Sequence, residues 1–265
     1  MRDALEEIYR KLNRREHVAT DPVGFLYRHD DLRDREIVGL VAATLAYGRI
    51  GQIHASVTNA LERLGPSPGE ALRSEGGSTL DASFEGFKHR FTTGAEVAAL
   101  LRGAAGLQER HGSLGARFAS LVGRSDEMVV PALGHFVREL GADGLCDGSS
   151  LLPVPERGSA CKRLHLYLRW MVRRDEIDPG GWDGVPRSKL VVPLDTHMHR
   201  IGRALGFTRR KQADLKAALD ITEAFRQVSP EDPVKYDFAI TRLGIRKADD
   251  TVSALRRSLL GDAAD

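Results

Sequence analysis

Cysteine is almost missing: Cys146 and Cys161 are the only two in 265 residues. That excludes a disulfide scaffold and a four-cysteine zinc or iron–sulfur site built from this chain. No apolar run approaches the roughly 20 residues needed to cross a bilayer. Alternating strand-type runs are nearly absent, and no internal repeat or low-complexity segment is visible. The patterns GxxxxGK[ST], GxGxxG and HExxH are absent too, so the common phosphate, dinucleotide and zinc motifs do not apply. MRDALEEIYRK at the start is charged and helical in pattern, which predicts a helix and not a signal peptide. A cytoplasmic address is expected, nucleoid-associated if the source is bacterial, with no membrane partner and no obligate protein partner.

Charge is nearly balanced, at +2, but it is unevenly placed. Acids crowd the first third, as in LEEI and HDDLRDRE. Bases crowd CKRLHLYLRWMVRR (161–174), RRKQADLK (209–216) and RLGIRK (242–247). Basic stripes in the C-terminal half fit a polyanion-binding face, although any one stripe also fits solvated helix surface.

Helical periodicity dominates what remains. Asp21-Pro22 reads as a cap and a first-turn proline. Residues 34–48 are apolar on most sides, as a buried helix is, and 50–65, 92–112, 113–123 and 126–140 continue the pattern. KLVVPL (189–194) is the best strand candidate and is too short to build a sheet. The expected fold is all-α and two-lobed. Residues 1–31 with 150–265 would form one lobe, and 32–149 an inserted helical lobe.

Two segments carry candidate chemistry. In SACKRLHLYLRWMVRR (159–174), Ser159 is a natural N-cap, which would put Lys162 at the third helical position. Leu164, Tyr167, Leu168 and Met171 make a core stripe, while Lys162, His165, Arg169 and Arg173 share another face. Lys162 sits where the helix macrodipole disfavours a positive charge, with Arg163 beside it. That is a setting for an amine nucleophile, or simply a tolerated surface lysine. In PLDTHMHRIGRALGF (193–207), Asp195 precedes a helix. It reads as an N-cap, a metal ligand with His197 and His199, or a catalytic carboxylate. The two histidines are two positions apart and point to different helix faces, and no further ligand accompanies them, which speaks against metal.

PLDTHMHRIGRALGF resembles the segment of helix–hairpin–helix DNA glycosylases, the endonuclease III superfamily, that carries the catalytic aspartate. LVAATLAYGRIGQIHASVTNALERLG (40–65) resembles that family's early helix–loop–helix, whose loop meets DNA. YDFAITRLGI (236–245) resembles its late helix of the form N-x-A-L-x-D-L-G. LLPVPERGSACKRL (151–164) keeps Leu-Pro and a lysine opening the next helix, but lacks the family's Gly-x-Gly turn. In this, and in the longer Lys-to-Asp separation filled by DPGGWDGVPRSK, it is closer to the archaeal 8-oxoguanine glycosylase branch. Tyr47-Gly48-Arg49 replaces the usual glutamine-rich loop, and the C-terminal cysteine cluster is absent, so no iron–sulfur cluster, other cofactor or metal is expected.

The resemblance implies a base-excision-repair glycosylase of the helix–hairpin–helix type. Its partner would be duplex DNA with a damaged base, such as an oxidised purine, or an abasic site. Lys162 would be the nucleophile and AP-lyase residue, and Asp195 the charge stabiliser. Tyr47, Arg49, Ser159, Arg163, His165, Arg169, Arg173, His197, Arg209, Arg210 and Lys211 would meet DNA. Trp170 and Trp182 would line the base pocket and, with Tyr47, are candidates for stacking on a base; the competing reading of each is a packing residue. The alternative is a DNA- or RNA-binding protein that keeps the fold without the chemistry.

Overall fold

The computed structural model of the chain describes residues 1–145 and 149–246. Cys146 and Lys247 lie outside the described residues, as does the side chain of Arg246. Helix α1 (Arg2–Leu12) is followed by two 3-10 turns, Arg15–Thr20 and Pro22–Arg28. Then come α2 (Leu32–Thr44), α3 (Ile50–Leu64) and α4 (Pro68–Ser83). Strands β1 (Lys88–His89) and β2 (Thr92–Thr93) form a hairpin, followed by α5 (Gly94–His111), α6 (Leu114–Leu121) and α7 (Val130–Gly141). The rest is α8 (Lys162–Val172), α9 (Thr196–Ala204), α10 (Leu215–Val228) and α11 (Asp237–Arg246), with short 3-10 turns at Pro155–Arg157 and Arg187–Lys189.

The described residues are thus mostly helical, as the periodicity implied. Their two strands pair antiparallel, with Lys88 opposite Thr93 and His89 opposite Thr92. KLVVPL is no strand. Its residues 190–194 are buried in irregular backbone, and the Val192 N–H donates to Thr222 Oγ1 at 3.0 Å instead of to a neighbouring strand. Helix α4 has no counterpart in the sequence reading, because Gly69, Gly76 and Gly77 dilute its apolar pattern. Its packing on α5 and α2 holds it in place.

The even apolar distribution of α2 has the expected result: Glu36 through Thr44 are all buried. This helix touches α3, α4, α5, α6, α8 and the 22–28 turn. Asp21 caps that turn by accepting from the Val23 N–H at 3.1 Å. Elsewhere α11 takes α1 and α9 against it, and α10 packs on α9. Helices α9 and α10 come close at Gly202, where a Cβ would lie 2.5 Å from Ile221 Cδ1 and push that side chain aside.

Helix α8 is the bridge. Leu164, Tyr167, Leu168 and Met171 are all buried against α2 and its neighbours. Each such side chain contributes about 1.5–3 kcal/mol of transfer free energy. The Tyr167 hydroxyl donates to the Glu36 carbonyl at 3.0 Å, fixing the register of the two helices.

Candidate active site

Two cavities meet at one wall. The outer is an open cleft of about 1020 Å³, lined in part by Tyr47, Arg157, Ser159, Lys162, Arg163 and Asp195. The inner, of about 280 Å³, is lined by Lys162 and Asp195 again, with Asp21, Arg169, Trp170 and Asp237. Apolar groups complete it, among them Pro22, Ile53, Leu166 and Phe238. Lys162 and Asp195, chosen from separate segments, therefore share the wall between the two spaces.

Lys162 is placed by an unusual helix start. The N-cap of α8 is Cys161, not Ser159, and Lys162 is the first helical residue, not the third. Ser159 Oγ accepts from the Cys161 N–H at 3.2 Å and so closes a turn ahead of the helix. Cys161 is left-handed, at φ 45° and ψ 35°. Such a conformation costs a non-glycine residue about 1–2 kcal/mol, and strain of this kind gathers at functional sites. The Cys161 thiol is no competing nucleophile: burial pushes it up to about 11, and its Sγ lies 3.3 Å from the Pro153 carbonyl oxygen. Lys162 Nζ has no hydrogen-bond or ion-pair partner among the described residues, and the side chain is half-buried.

Asp195 is the N-cap of α9, its Oδ1 accepting from the Met198 N–H at 2.8 Å. The other oxygen has no hydrogen-bond partner among the described residues. The cap fixes the carboxylate's position while leaving half of it available to the cleft. Cap and catalyst are therefore compatible here. Among the described residues, no group of three or more His, Cys, Asp or Glu is placed to hold a metal ion.

Around this wall the expected DNA-facing residues divide. Tyr47 is half-buried on the cleft, its hydroxyl 2.9 Å from the His89 carbonyl oxygen and 2.7 Å from Thr92 Oγ1. Arg163 lies over its ring, 4.7 Å from the centroid. Both Arg163 terminal nitrogens donate to backbone carbonyls, those of Thr44 and Ser150, so this residue ties the cleft walls together. Arg49, Arg209 and Lys211 are exposed, and the first adjoins the lining residue Gly48. Arg210 is paired with Asp214, its Nε 2.9 Å from Oδ1, and its carbonyl meets His199 Nε2 at 3.0 Å. His197 is half-buried and lines neither cavity.

Four expectations need correction. Arg169 and Arg173 are 2 % and 4 % exposed and form no outer face. Arg169 pairs with Asp178 at 3.2 Å and with Asp237; Arg173 pairs with Asp232 at 3.0 Å and with Asp178. Asp178 stands in the loop just after α8, while Asp232 and Asp237 come from distant segments, so nothing within α8 itself announces them. His165 is 1 % exposed, with neither ring nitrogen bonded among the described residues. Trp182 lies away from both cavities. It packs on Phe118, Phe136 and Tyr167, and its indole N–H donates to Glu36 Oε1 at 2.8 Å. Trp170, by contrast, does line the inner cavity, and its Nε1 is buried without a partner among the described residues.

Burial alone pushes His165 down to about 4, so the folded protein holds it neutral. The unfolded chain takes a proton near 6.5, so this residue costs stability as pH falls from there toward 4. His165→Leu is therefore expected to raise stability by about 2 kcal/mol at about pH 5, and by less near neutrality. Urea unfolding at both pH values checks this; an equal effect at both would contradict it.

Two residues escaped the sequence reading. Phe91, at the hairpin tip, is 62 % exposed and stacks on Tyr47 with centroids 5.1 Å apart. A single phenylalanine in KHRFTTG gave no signal. Asp237 is 4 % exposed and lines the inner cavity. Its signal was available, since it stands where the resembled late helix carries asparagine.

No curated protein and no solved structure matches the chain. Residues 21–246 match a family model described as "Protein of unknown function (DUF2400)", and the chain belongs to that family.

Proposed function

We propose that the protein is a base-excision DNA glycosylase with AP-lyase chemistry, built as a two-lobed helix–hairpin–helix enzyme. The observation that carries this reading is the shared wall: a Lys162 amine without a partner among the described residues and a half-committed Asp195 carboxylate, between an open cleft and a smaller, mostly apolar cavity. A duplex lies along the cleft, held by exposed cations such as Arg49, Arg157, Arg209 and Lys211. The damaged nucleotide turns out of the stack and its base enters the inner cavity.

The glycosidic bond between C1′ and the base nitrogen breaks, and its electron pair leaves with the base. Positive charge develops on the sugar, where the Asp195 carboxylate stabilises it. The Lys162 amine bonds to C1′, loses a proton and, after ring opening, forms a Schiff base. Loss of a 2′ proton then expels the 3′ phosphate oxygen and nicks the strand.

Borohydride reduction in the presence of abasic-site duplex tests this. A covalent protein–DNA adduct is expected, together with DNA affinity that falls steeply with salt, about one unit of log–log slope per phosphate contacted. Binding without adduct, and without base release from any lesion duplex, would replace the proposal with a non-catalytic nucleic-acid-binding protein.

A further inference from the structure

The inner cavity holds a carboxyl group that the steps above leave unused. Asp237 opens α11; its Oδ2 accepts from Arg169, while its Oδ1 is buried without a partner among the described residues. An orphaned polar atom of this kind is costly to bury, and here it belongs to a residue on a cavity wall. The charged groups about it are Arg169 and Lys162 from α8, Asp178 after α8, Asp195 at the start of α9, Asp21 before the 22–28 turn, and Arg242 on its own helix. Burial pushes the Asp237 carboxyl up to about 6; Arg169 pulls against that, and the Asp195 and Asp178 charges add to it. A carboxyl group shifted this way holds a proton nearer neutrality than an ordinary aspartate does. It shares the cavity wall with Asp195, which caps a helix. Neighbouring carboxyl groups in unlike environments are how acid and base roles are divided within one site.

We infer that Asp237 is the acid that protonates the departing base in the inner cavity, an assignment that rests on the glycosylase reading. When the C1′–N bond breaks, its electron pair goes to the base. The Asp237 Oδ1 proton passes to a ring nitrogen or carbonyl oxygen of that base, which leaves neutral. Asp237 becomes a carboxylate already paired with Arg169. Trp170, in the same wall and with an indole N–H that lacks a partner among the described residues, supplies a second polar contact to the base edge.

The substrates separate this role from a structural one. Duplexes carrying 8-oxoguanine, thymine glycol or hypoxanthine contain a base to expel; an abasic duplex does not. Asp237→Asn is expected to slow base release at least about 100-fold, the usual lower range for general acid catalysis. It should leave borohydride trapping on abasic DNA within about threefold. Wild-type protein offers a test without substitution. Its ratio of base release to abasic adduct formation should fall about tenfold per pH unit above about 6, because only base release needs the Asp237 proton. Base release by Asp237→Asn within threefold of wild type would overturn the inference and leave the glycosylase reading standing. A parallel loss of abasic trapping, or a flat wild-type ratio, would overturn it as well. Wild-type protein that releases no base from any duplex would remove both readings together.

Discussion

Lys162→Gln is expected to abolish covalent trapping and strand nicking while changing DNA affinity by no more than about 1 kcal/mol, the worth of one exposed charge contact. Asp195→Asn is expected to slow base release by about 100- to 1,000-fold, because it removes charge stabilisation aimed at the sugar in a partly dry site. The two variants fail differently for a structural reason. Lys162 has no partner among the described residues, so its loss leaves nothing behind unsatisfied. Asp195 already holds the Met198 N–H, and asparagine caps a helix about as well as aspartate. Asp195→Asn should therefore melt close to wild type. Asp195→Ala should lose the cap as well as the activity, at about 1 kcal/mol of stability. If Asp195 were only a cap, the order would reverse: Asn silent in every assay, Ala destabilised, no activity affected. Melting curves and nicking assays on the same three proteins decide between these outcomes.

Glu36→Ala should produce the largest stability loss. Glu36 is fully buried in α2, yet its carboxylate accepts four hydrogen bonds from three separate segments. Oε2 takes the Gln108 side-chain amide and the Leu114 N–H, each at 2.9 Å. Oε1 takes the Gly115 N–H at 2.7 Å and the Trp182 indole at 2.8 Å. The first turn of α6, the end of α5 and the 178–189 loop are all joined to α2 through this one side chain. Alanine would orphan four donors in the interior. At about 1–3 kcal/mol for each orphan, the loss should reach at least about 4 kcal/mol, out of a total of about 5–15 for a typical domain. Glu36→Gln keeps one acceptor oxygen and turns an NH₂ group toward two donors, so an intermediate loss is expected. Urea unfolding and soluble yield report both. A loss below about 1 kcal/mol for alanine would show that the four bonds do not hold these segments together. The core packing of Trp182 and the strong effect of Glu36 are one fact seen from two sides.

The sequence by itself determined the helical class, through apolar spacing near 3.6 and the near absence of alternation. It placed the cap at Asp21, the buried character of α2, the core stripe of α8 and the cap at Asp195, because each depends on residues within one or two turns of each other. It also singled out Lys162 and Asp195. The tertiary structure alone decided what surrounds them. A basic stripe written Lys162, His165, Arg169, Arg173 looks the same whether solvent or carboxylates face it. Asp178, Asp232 and Asp237 come from later segments and take Arg169 and Arg173 out of solvent. The helix start moved from Ser159 to Cys161 because a left-handed cysteine is a conformation the surrounding fold imposes and its own propensity opposes. Asp237 meets Lys162 and Asp195 only because α11 packs on α9 and beside α8. Local spacing fixes which face a residue lies on; only long-range packing decides what stands opposite that face, and therefore whether a charge there is surface, support or chemistry.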